Sequence, residues 1–325
     1  MTAPLLEASD LHVWFDLGHG RELHAVRGVD FTIGRGERFG LVGESGCGKT
    51  TTILAIMGLL PPTASVAGRV LLDGESILER GEETVSPHRW KDIAMVFQGA
   101  MNAFNPVRTI GDQIVEAIEL HELAEGREAR RRAGELLEKV GIARGRSTSF
   151  PHEFSGGMRQ RAALAMALAC SPKLLLADEP TTALDVMVQA QILELIVGLS
   201  DDFDLAVVLV THDLPIVAQV CRRAAVMYAG EIVETGAMDT LYHDPRHPYT
   251  RLLFAATPDL YGKGDVASIP GIPPRLDREI PGCPFAPRCD RAFSPCPDVK
   301  PRRLEVGPSH MAACHLNDRA VAEAS

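Results

Sequence analysis

One short glycine-rich segment constrains the fold of this chain more than any other feature. It reads Gly43-Glu44-Ser45-Gly46-Cys47-Gly48-Lys49-Thr50, which has the glycines, the lysine and the hydroxyl residue of a phosphate-binding P-loop at every required position. The apolar run at 39–42 is typical of a buried strand, and residues 51–60 have the apolar spacing of a helix. The pattern therefore predicts an α/β fold that binds a nucleotide.

The chemistry of each P-loop residue suits a phosphate chain. The glycines let successive backbone N–H groups point at an anion, and the following helix adds the partial positive charge of its N-terminus. Lys49 can place a charge on the β- and γ-phosphates, and the Thr50 hydroxyl can ligate Mg²⁺. The predicted nucleotide contacts in this segment are Gly43, Glu44, Ser45, Gly46, Cys47, Gly48, Lys49, Thr50 and Thr51.

Composition excludes several classes of function. The net charge of −10 over 325 residues provides no positive field for nucleic acid. Residues 1–13 lack the pattern of a secretory signal, and the longest apolar run, 162–170, is too short to span a bilayer. We expect a soluble, cytosolic protein with reduced cysteines, whose membrane role would pass through a partner.

The pattern of apolar residues, prolines and cysteines changes along the chain. Apolar runs at 5–8, 29–33 and 69–74 predict strands within residues 5–75, and residues from about 108 to 170 have a helical pattern. Further apolar runs at 93–97, 174–177 and 205–210 predict buried strands, and their alternation with helices predicts a parallel sheet covered on both faces. We expect a nucleotide-binding domain at 1–256, with a helical subdomain at about 99–170. Beyond it, prolines become frequent and four of the seven cysteines occur, which predicts a separate, loop-built module at 257–325.

Two adjacent acids suit the handling of a bound nucleotide. The apolar run at 174–177 predicts a strand, and it ends in Asp178 and Glu179. The first carboxylate can hold Mg²⁺, as it does in P-loop NTPases, and the second can take a proton from an attacking water molecule.

A second anion site is predicted where a helix opens with Ser155, Gly156 and Gly157. One nucleotide-binding domain does not need this site for its own nucleotide. With Phe154 and Met158 the segment resembles the Leu-Ser-Gly-Gly-Gln signature of the ATP-binding cassette (ABC) ATPases, with Phe in place of Leu and Met in place of Gln. The resemblance covers about residues 5–256.

The resemblance implies roles for residues that would be unremarkable singly. Gln98 matches the Q-loop, Asp185 matches the D-loop, and His212 matches the switch histidine that contacts the γ-phosphate. Phe15 is our choice for the aromatic residue that stacks on adenine, with Trp14 as the alternative. The implied fold is an ABC nucleotide-binding domain with a mixed sheet core, an antiparallel β subdomain and an α-helical subdomain.

The family also implies a mechanism. Its cassettes pack head to tail in pairs, and ATP lies between the P-loop of one and the signature of the other. The resemblance thus implies an ATPase that pairs with an identical or homologous cassette. Thr50, Gln98 and Asp178 would hold Mg²⁺, while Glu179 and His212 would be the catalytic residues.

Three regions resemble one branch of the family, the ATPase subunits of oligopeptide and dipeptide permeases, which also includes nickel and some sugar importers. They are residues 98–106, residues 244–253 and the cysteine-containing tail. Gly99-Ala100 stands where the branch often has Asp-Pro. The branch implies uptake of di- or oligopeptides at the cytoplasmic face of the cell membrane. The implied partners are a second ATPase subunit, two transmembrane permeases and an extracytoplasmic substrate-binding protein.

The tail cysteines form a candidate metal site, and they are Cys283, Cys289, Cys296 and Cys314. Some members of the branch are reported to hold an iron–sulfur cluster there. Four thiolates suit either [4Fe–4S] or Zn²⁺, and the absence of a Cys-x2-Cys pair favours the cluster. Four reduced structural thiols are the remaining interpretation. His315 could be a further ligand, but we expect it at the surface, and we expect the other three cysteines outside the site.

Other functions are weighed against the importer. Soluble ABC ATPases of DNA repair carry long insertions between P-loop and signature, whereas about 105 residues separate Lys49 from Ser155. Ribosome-acting members carry two cassettes, and this chain has one P-loop. An ATPase that drives nickel or another small solute stays open, because the cargo does not have to touch this subunit.

Overall fold

The chain folds into two compact units. The computed structural model describes residues 3–79, 81–99, 103–256 and 268–318. The first unit comprises Met1–Gly34, Phe39–Gly81 and Thr211–Ser325, and we call it the P-loop unit. The second comprises Arg35–Arg38 and Glu82–Val210, and we call it the helical unit. The domain boundary at 256/257 and the subdomain at 99–170 stay predictions.

An antiparallel sheet begins the P-loop unit. Its strands are β1 (Leu6–Asp16), β2 (Glu22–Ile33), β4 (Ala64–Leu72) and the short β5 (Glu75–Ser76), in the order β2-β1-β4-β5. The sequence indicated only parts of these strands, residues 5–8, 29–33 and 69–74. Their other halves carry polar residues on an accessible face, so they lack the continuous apolar pattern of a buried strand.

A mixed sheet forms the rest of the P-loop unit. It contains β3 (Arg38–Val42), β9 (Arg223–Tyr228), β10 (Glu231–Ala237), β11 (Arg303–Gly307) and β12 (His310–Ala313). The order is β11-β12-β10-β9-β3, with β3 and β9 parallel and the other pairs antiparallel. The helices of this unit are α1 (Lys49–Ile56), α7 (Leu214–Val220), α8 (Met238–His243) and α9 (Pro248–Ala255).

The helical unit contains a small parallel sheet. Apolar runs predicted strands β6 (Ile93–Val96), β7 (Leu174–Asp178) and β8 (Ala206–Thr211), and these strands pair in parallel in the order β8-β7-β6. Their side chains pack into one buried cluster with residues such as Ile114, Leu137 and Leu164 from the helices. The helices are α2 (Glu82–Val85), α3 (Ile110–Leu120), α4 (Gly126–Lys139), α5 (Gly156–Ala167) and α6 (Val186–Phe203).

Local caps set where several helices begin. The Thr109 hydroxyl accepts from the backbone N–H of Asp112 at the start of α3, and Asp213 accepts from Ile216 at the start of α7. Such caps satisfy N–H groups that have no partner inside the helix. Helix α1 ends at Ile56 rather than at residue 60 as the apolar spacing indicated, because Gly58 turns the chain with a φ of 61°.

The described part of the C-terminal segment has more regular structure than its composition indicated. We expected loops, but β11 and β12 form a hairpin whose inner strand pairs with β10. Pro301 and Pro308 flank β11 and interrupt the local pattern that predicts a strand. Within the described ranges, no helix has both the length and the apolar composition that crossing a bilayer requires.

A buried carboxylate ties this hairpin to the sheet. Glu234 on β10 is fully buried and accepts from Nε2 of His310 on β12 at 2.7 Å. It also accepts from the backbone N–H groups of Arg246 at 2.6 Å and His247 at 3.0 Å. One side chain therefore joins β10, β12 and the turn before α9.

We predict that Glu234→Ala lowers the free energy of unfolding by about 3–5 kcal/mol, because it leaves a buried imidazole and two backbone donors without their acceptor. Urea denaturation measures this loss. The control, Glu305→Ala, removes an exposed carboxylate of β11 and should change stability by less than about 0.5 kcal/mol. Equal effects of the two substitutions would contradict the role assigned to Glu234.

Candidate functional site

The P-loop lies where the sequence placed it, between β3 and α1. Lys49 is buried, and its Nζ donates to the carbonyl oxygens of Gly43 at 2.7 Å and Glu44 at 3.0 Å. The ammonium is thereby held inside the turn, where it can act as a fixed charge. Ser45, Gly46 and Thr50 are exposed, while Thr51 is half-buried.

Two glycines of this loop leave no space for a side chain. Gly43 has a φ of 154°, and a Cβ on it would lie 2.1 Å from the carbonyl oxygen of Met227. Gly48 has a φ of 107°, and its Cβ would lie 2.6 Å from the carbonyl oxygen of Ala25. The loop therefore requires glycine for both conformation and space. Cys47 beside them is buried, and burial raises the pKa of its thiol.

The two candidate aromatic residues on β1 have different surroundings. The Trp14 ring stacks on the rings of His12 and His24, with centroid distances of 5.2 and 4.6 Å. Phe15 is the next residue, so its side chain points to the opposite face of the strand. Because the Trp14 ring is already stacked, the arrangement favours Phe15 for adenine, and this choice stays a prediction.

His212 also belongs to the P-loop unit and directly follows β8. Its side chain is exposed, and the next residue, Asp213, caps α7. The strand end and the cap fix the backbone on both sides of His212. Its contact with a γ-phosphate stays a prediction.

The helical unit brings two predicted residues into direct contact. Gln98 Nε2 donates to Oε2 of Glu179 at 2.9 Å. The Thr182 hydroxyl donates to the same oxygen at 2.9 Å. Asp178, the last residue of β7, is buried, whereas Glu179 is half-buried and has a φ of 43°. A positive φ in a non-glycine residue is uncommon, and it marks a strained backbone directly after β7.

Thr182 was not identified from the sequence. It lies three residues after Glu179, and its backbone N–H donates to the Glu179 carbonyl oxygen at 3.1 Å, which closes a turn. A hydroxyl residue at this spacing was the available signal. Its contribution is to orient the carboxylate together with Gln98.

The signature and D-loop residues occupy helix N-termini. Ser155 accepts from the backbone N–H of Met158 at 3.3 Å and caps α5. Asp185 accepts from Val188 at 3.0 Å and caps α6. Gly157, like Gly156, lies in the first turn of α5, and a Cβ on Gly157 would meet Val188 Cγ1 at 2.6 Å. Close helix packing is thus one reason for glycine at 157, beside the anion site that we predicted.

The four tail cysteines line one cavity of the P-loop unit. Cys283, Cys289, Cys296 and Cys314 surround it together with Phe285 and His247, among others. Burial raises the pKa of Cys283 to about 12 and that of Cys314 to about 11, and the neighbouring thiols act in the same direction. Cys283 and Cys314 are therefore thiols at neutral pH unless a cation stabilises their thiolates.

The arrangement does not support the predicted metal cluster. Among residues 3–79, 81–99, 103–256 and 268–318, no group of three or more His, Cys, Asp or Glu side chains is placed to hold a metal ion. His315 differs from the prediction because it is buried rather than at the surface, and its Nε2 hydrogen-bonds the Val299 carbonyl oxygen at 2.8 Å. Cys47, Cys170 and Cys221 are buried outside this cavity, as expected.

Two known families match the chain. The family described as ABC transporter matches residues 26–182. The family described as oligopeptide/dipeptide transporter, C-terminal region, matches residues 233–296. The first region contains the P-loop, Gln98 and Glu179, and the second contains α9 and three of the tail cysteines.

Curated relatives resemble the chain along most of its length. The dipeptide transport ATP-binding protein DppD of Bacillus subtilis is 45% identical over 320 residues, which cover 97% of this chain and 95% of the relative. The oligopeptide transport ATP-binding protein OppD of Mycobacterium tuberculosis is 48% identical over 317 residues, which cover 96% of this chain. The match spans 52% of that mycobacterial relative, about half its length.

Solved structures share the fold. A dimeric ATP-binding cassette in a post-hydrolysis state, bound to ADP and Pi, superposes with a TM-score of 0.64 and 28% identity, covering 72% of this chain and 98% of that one. The cbiO1 protein of Clostridium perfringens, described as part of an ABC transporter complex, has a TM-score of 0.63 and 26% identity, covering 75% of this chain and 92% of that one.

Proposed function

Because this chain belongs to the ABC transporter family of ATP-hydrolysing cassettes, we propose that it is the subunit that powers uptake of di- and oligopeptides by a membrane importer. One observation carries the proposal. The same chain contains a cassette region at 26–182 and, at 233–296, a region that matches the C-terminal part of oligopeptide and dipeptide transporters. The first supports ATP hydrolysis and the second supports a peptide cargo.

Within this proposal Glu179 is the catalytic carboxylate. Its Oε2 accepts from Gln98 and Thr182, so its second oxygen can be directed at a water molecule from which it takes a proton. Lys49 stabilises the charge that develops on the phosphates, as a fixed donor does in phosphoryl transfer. The other catalytic residue that we propose is His212.

The remaining site residues bind nucleotide and metal in this proposal. Mg²⁺, when bound, neutralises charge on the β- and γ-phosphates. Buried Asp178 has the oxygen chemistry that Mg²⁺ prefers, and Thr50 and Gln98 are its proposed companions. Phe15 stacks on adenine, and the N–H groups that follow Ser155 receive the nucleotide of a partner cassette.

The proposed partners follow from the same family. They are a second cassette, identical or homologous, two transmembrane permeases and an extracytoplasmic substrate-binding protein. The protein would then lie at the cytoplasmic face of the membrane, held there by the permeases. A net charge of −10 supports the absence of nucleic acid from this list.

We further propose that the cysteine-lined cavity is a metal site, with [4Fe–4S] favoured over Zn²⁺. The proposal rests on donor chemistry alone. Cys283, Cys289, Cys296 and Cys314 line one cavity, and four sulfur donors suit either group, but their present positions do not form a site for a metal ion. The thiols would have to move together as they lose their protons. The ATPase proposal does not depend on this site.

We predict that Glu179→Gln reduces phosphate release by at least about a hundredfold while ATP binding is retained, because glutamine keeps the shape but cannot accept the proton. Phosphate release and fluorescent-nucleotide titration measure the two quantities. The control Glu194→Gln changes an exposed carboxylate of α6 and should leave both unchanged. Hydrolysis at the wild-type rate in Glu179→Gln would remove the residue from the mechanism.

Cargo is tested on the assembled transporter. The chain is co-purified with its permeases and substrate-binding protein, and ATP hydrolysis is measured with di- and oligopeptides, nickel salts and sugars. We expect peptides to stimulate hydrolysis several-fold. If only nickel or a sugar stimulates hydrolysis, the ATPase assignment stands and the proposed peptide cargo is wrong. If the chain assembles with no permease, the proposal that it belongs to an importer is refuted.

The metal site has a direct optical test. Protein purified without oxygen should be brown and contain about four iron atoms per chain if [4Fe–4S] is bound. Cys283→Ser should remove the colour, while Cys170→Ser, which changes a buried cysteine outside the cavity, should keep it. Colourless protein with stoichiometric zinc would favour Zn²⁺, and protein without either metal would refute the site.

A further inference from the structure

We propose that the C-terminal segment, taken here as residues 248–256 and 268–318, positions the P-loop, with Arg288 and Tyr249 as the positioning residues. Both residues contact Glu44, and both lie outside the region that matches the ABC transporter family at 26–182. All three belong to the P-loop unit. The inference rests on the proposed ATP binding but not on the identity of the cargo.

The main contact is a bidentate ion pair between Arg288 and Glu44. Nη1 of Arg288 lies 2.6 Å from Oε2 of Glu44, and Nη2 lies 2.9 Å from Oε1. The Arg288 side chain is 3% exposed and that of Glu44 is 27% exposed. Such a pair is directional and is screened by salt less than a surface pair. It therefore fixes both the position and the orientation of the Glu44 carboxylate.

Arg288 is itself held from several directions. Its Nε donates to the Pro270 carbonyl oxygen at 2.7 Å, and Nη1 also donates to the Tyr228 hydroxyl at 3.2 Å. The guanidinium lies 5.7 Å from the centre of the Tyr228 ring and 5.8 Å from that of Phe285. These contacts preorganise the guanidinium, so the ion pair does not depend on ordering a mobile surface arginine.

Tyr249 holds the backbone of the same residue. Its hydroxyl accepts from the Glu44 N–H at 2.9 Å. The ring packs against Tyr228 and Phe285, with centroid distances of 4.6 and 5.3 Å. The sequence analysis identified residues 244–253 only by their resemblance to the permease branch. This contact assigns a structural role to Tyr249 within that segment. Side chain and backbone of Glu44 are thus both held from the C-terminal half of the chain.

The C-terminal segment also lies along the loop. Pro273, Pro274 and Leu276 line a cavity whose other walls include Glu44–Cys47 and Tyr228. The Leu276 carbonyl oxygen accepts from the His24 N–H on β2 at 3.0 Å, which anchors the segment. The stretch from Pro270 to Arg288 is therefore anchored both to β2 and to the P-loop itself.

The ion pair between Arg288 and Glu44 should affect nucleotide binding through its charge. The loop must accept a polyanion, and an unpaired Glu44 carboxylate would repel it. Arg288 neutralises the charge of that carboxylate and restricts the rotation of the Glu44 side chain. We expect nucleotide affinity, rather than the chemical step, to depend on the pair, because neither residue takes part in proton transfer.

The experiment measures binding of the fluorescent nucleotide mant-ATP, with Mg²⁺, to the full chain. We expect Arg288→Gln to raise the Kd for mant-ATP by about fivefold or more. Arg288→Lys keeps the charge but cannot donate two parallel hydrogen bonds, so its Kd should lie between those of the wild type and Arg288→Gln. In the assembled transporter the KM for ATP should rise while kcat changes little. Arg251→Gln is the matched control, since Arg251 pairs with Asp290 in an exposed contact of the same segment.

A double-mutant cycle separates positioning from folding. In a Glu44→Gln background, Arg288→Gln should raise the Kd less than it does in the wild type, because the repelling carboxylate is gone. Thermal melting identifies variants that fail to fold, and Tyr249→Phe, which loses only the hydroxyl, then provides the second test. Unchanged affinity in folded Arg288→Gln, or strict additivity in the cycle, would overturn the inference. Wild-type protein that does not bind mant-ATP would instead refute the proposed function.

Discussion

The close approach of the P-loop backbone to two strands is the constraint on which the site depends. Gly43 and Gly48 run so near the carbonyl oxygens of Met227 on β9 and Ala25 on β2 that a Cβ would overlap them. These strands come from distant parts of the chain, so the shape of the turn depends on both sheets of the P-loop unit. The loop then holds Lys49 rigidly, and a rigid donor stabilises charge without reorganising.

The helical unit reaches a comparable precision by another route. It holds Glu179 in an uncommon backbone conformation and directs its carboxylate with Gln98 and Thr182. Strain of this kind persists only when surrounding contacts over-determine it, here the end of β7 and the turn that Thr182 closes. The two units thus use different physics, close packing in one and hydrogen bonding in the other.

Much of the fold was predictable where one residue pattern has one structural solution. The P-loop and strands β3, β6, β7 and β8 were identified because buried strands are apolar and glycine turns are distinctive. Prediction was incomplete where polar residues interrupt the pattern, as in β1 and β2, and it missed the hairpin of β11 and β12. It also failed for His315, since a histidine that is satisfied by a carbonyl oxygen has no mark in the sequence.

The sequence by itself determined which chemical groups are present and in what order, from the P-loop through Glu179 to His212, because short motifs encode local chemistry. Only the tertiary structure decided that Arg288 meets Glu44, a contact across 244 positions of the chain. Neither Arg288 nor Glu44 lies in a sequence motif from which the other residue could be predicted as its partner. Their pairing arises from the aromatic cluster that packs the C-terminal segment against the P-loop, and packing between distant residues has no local code.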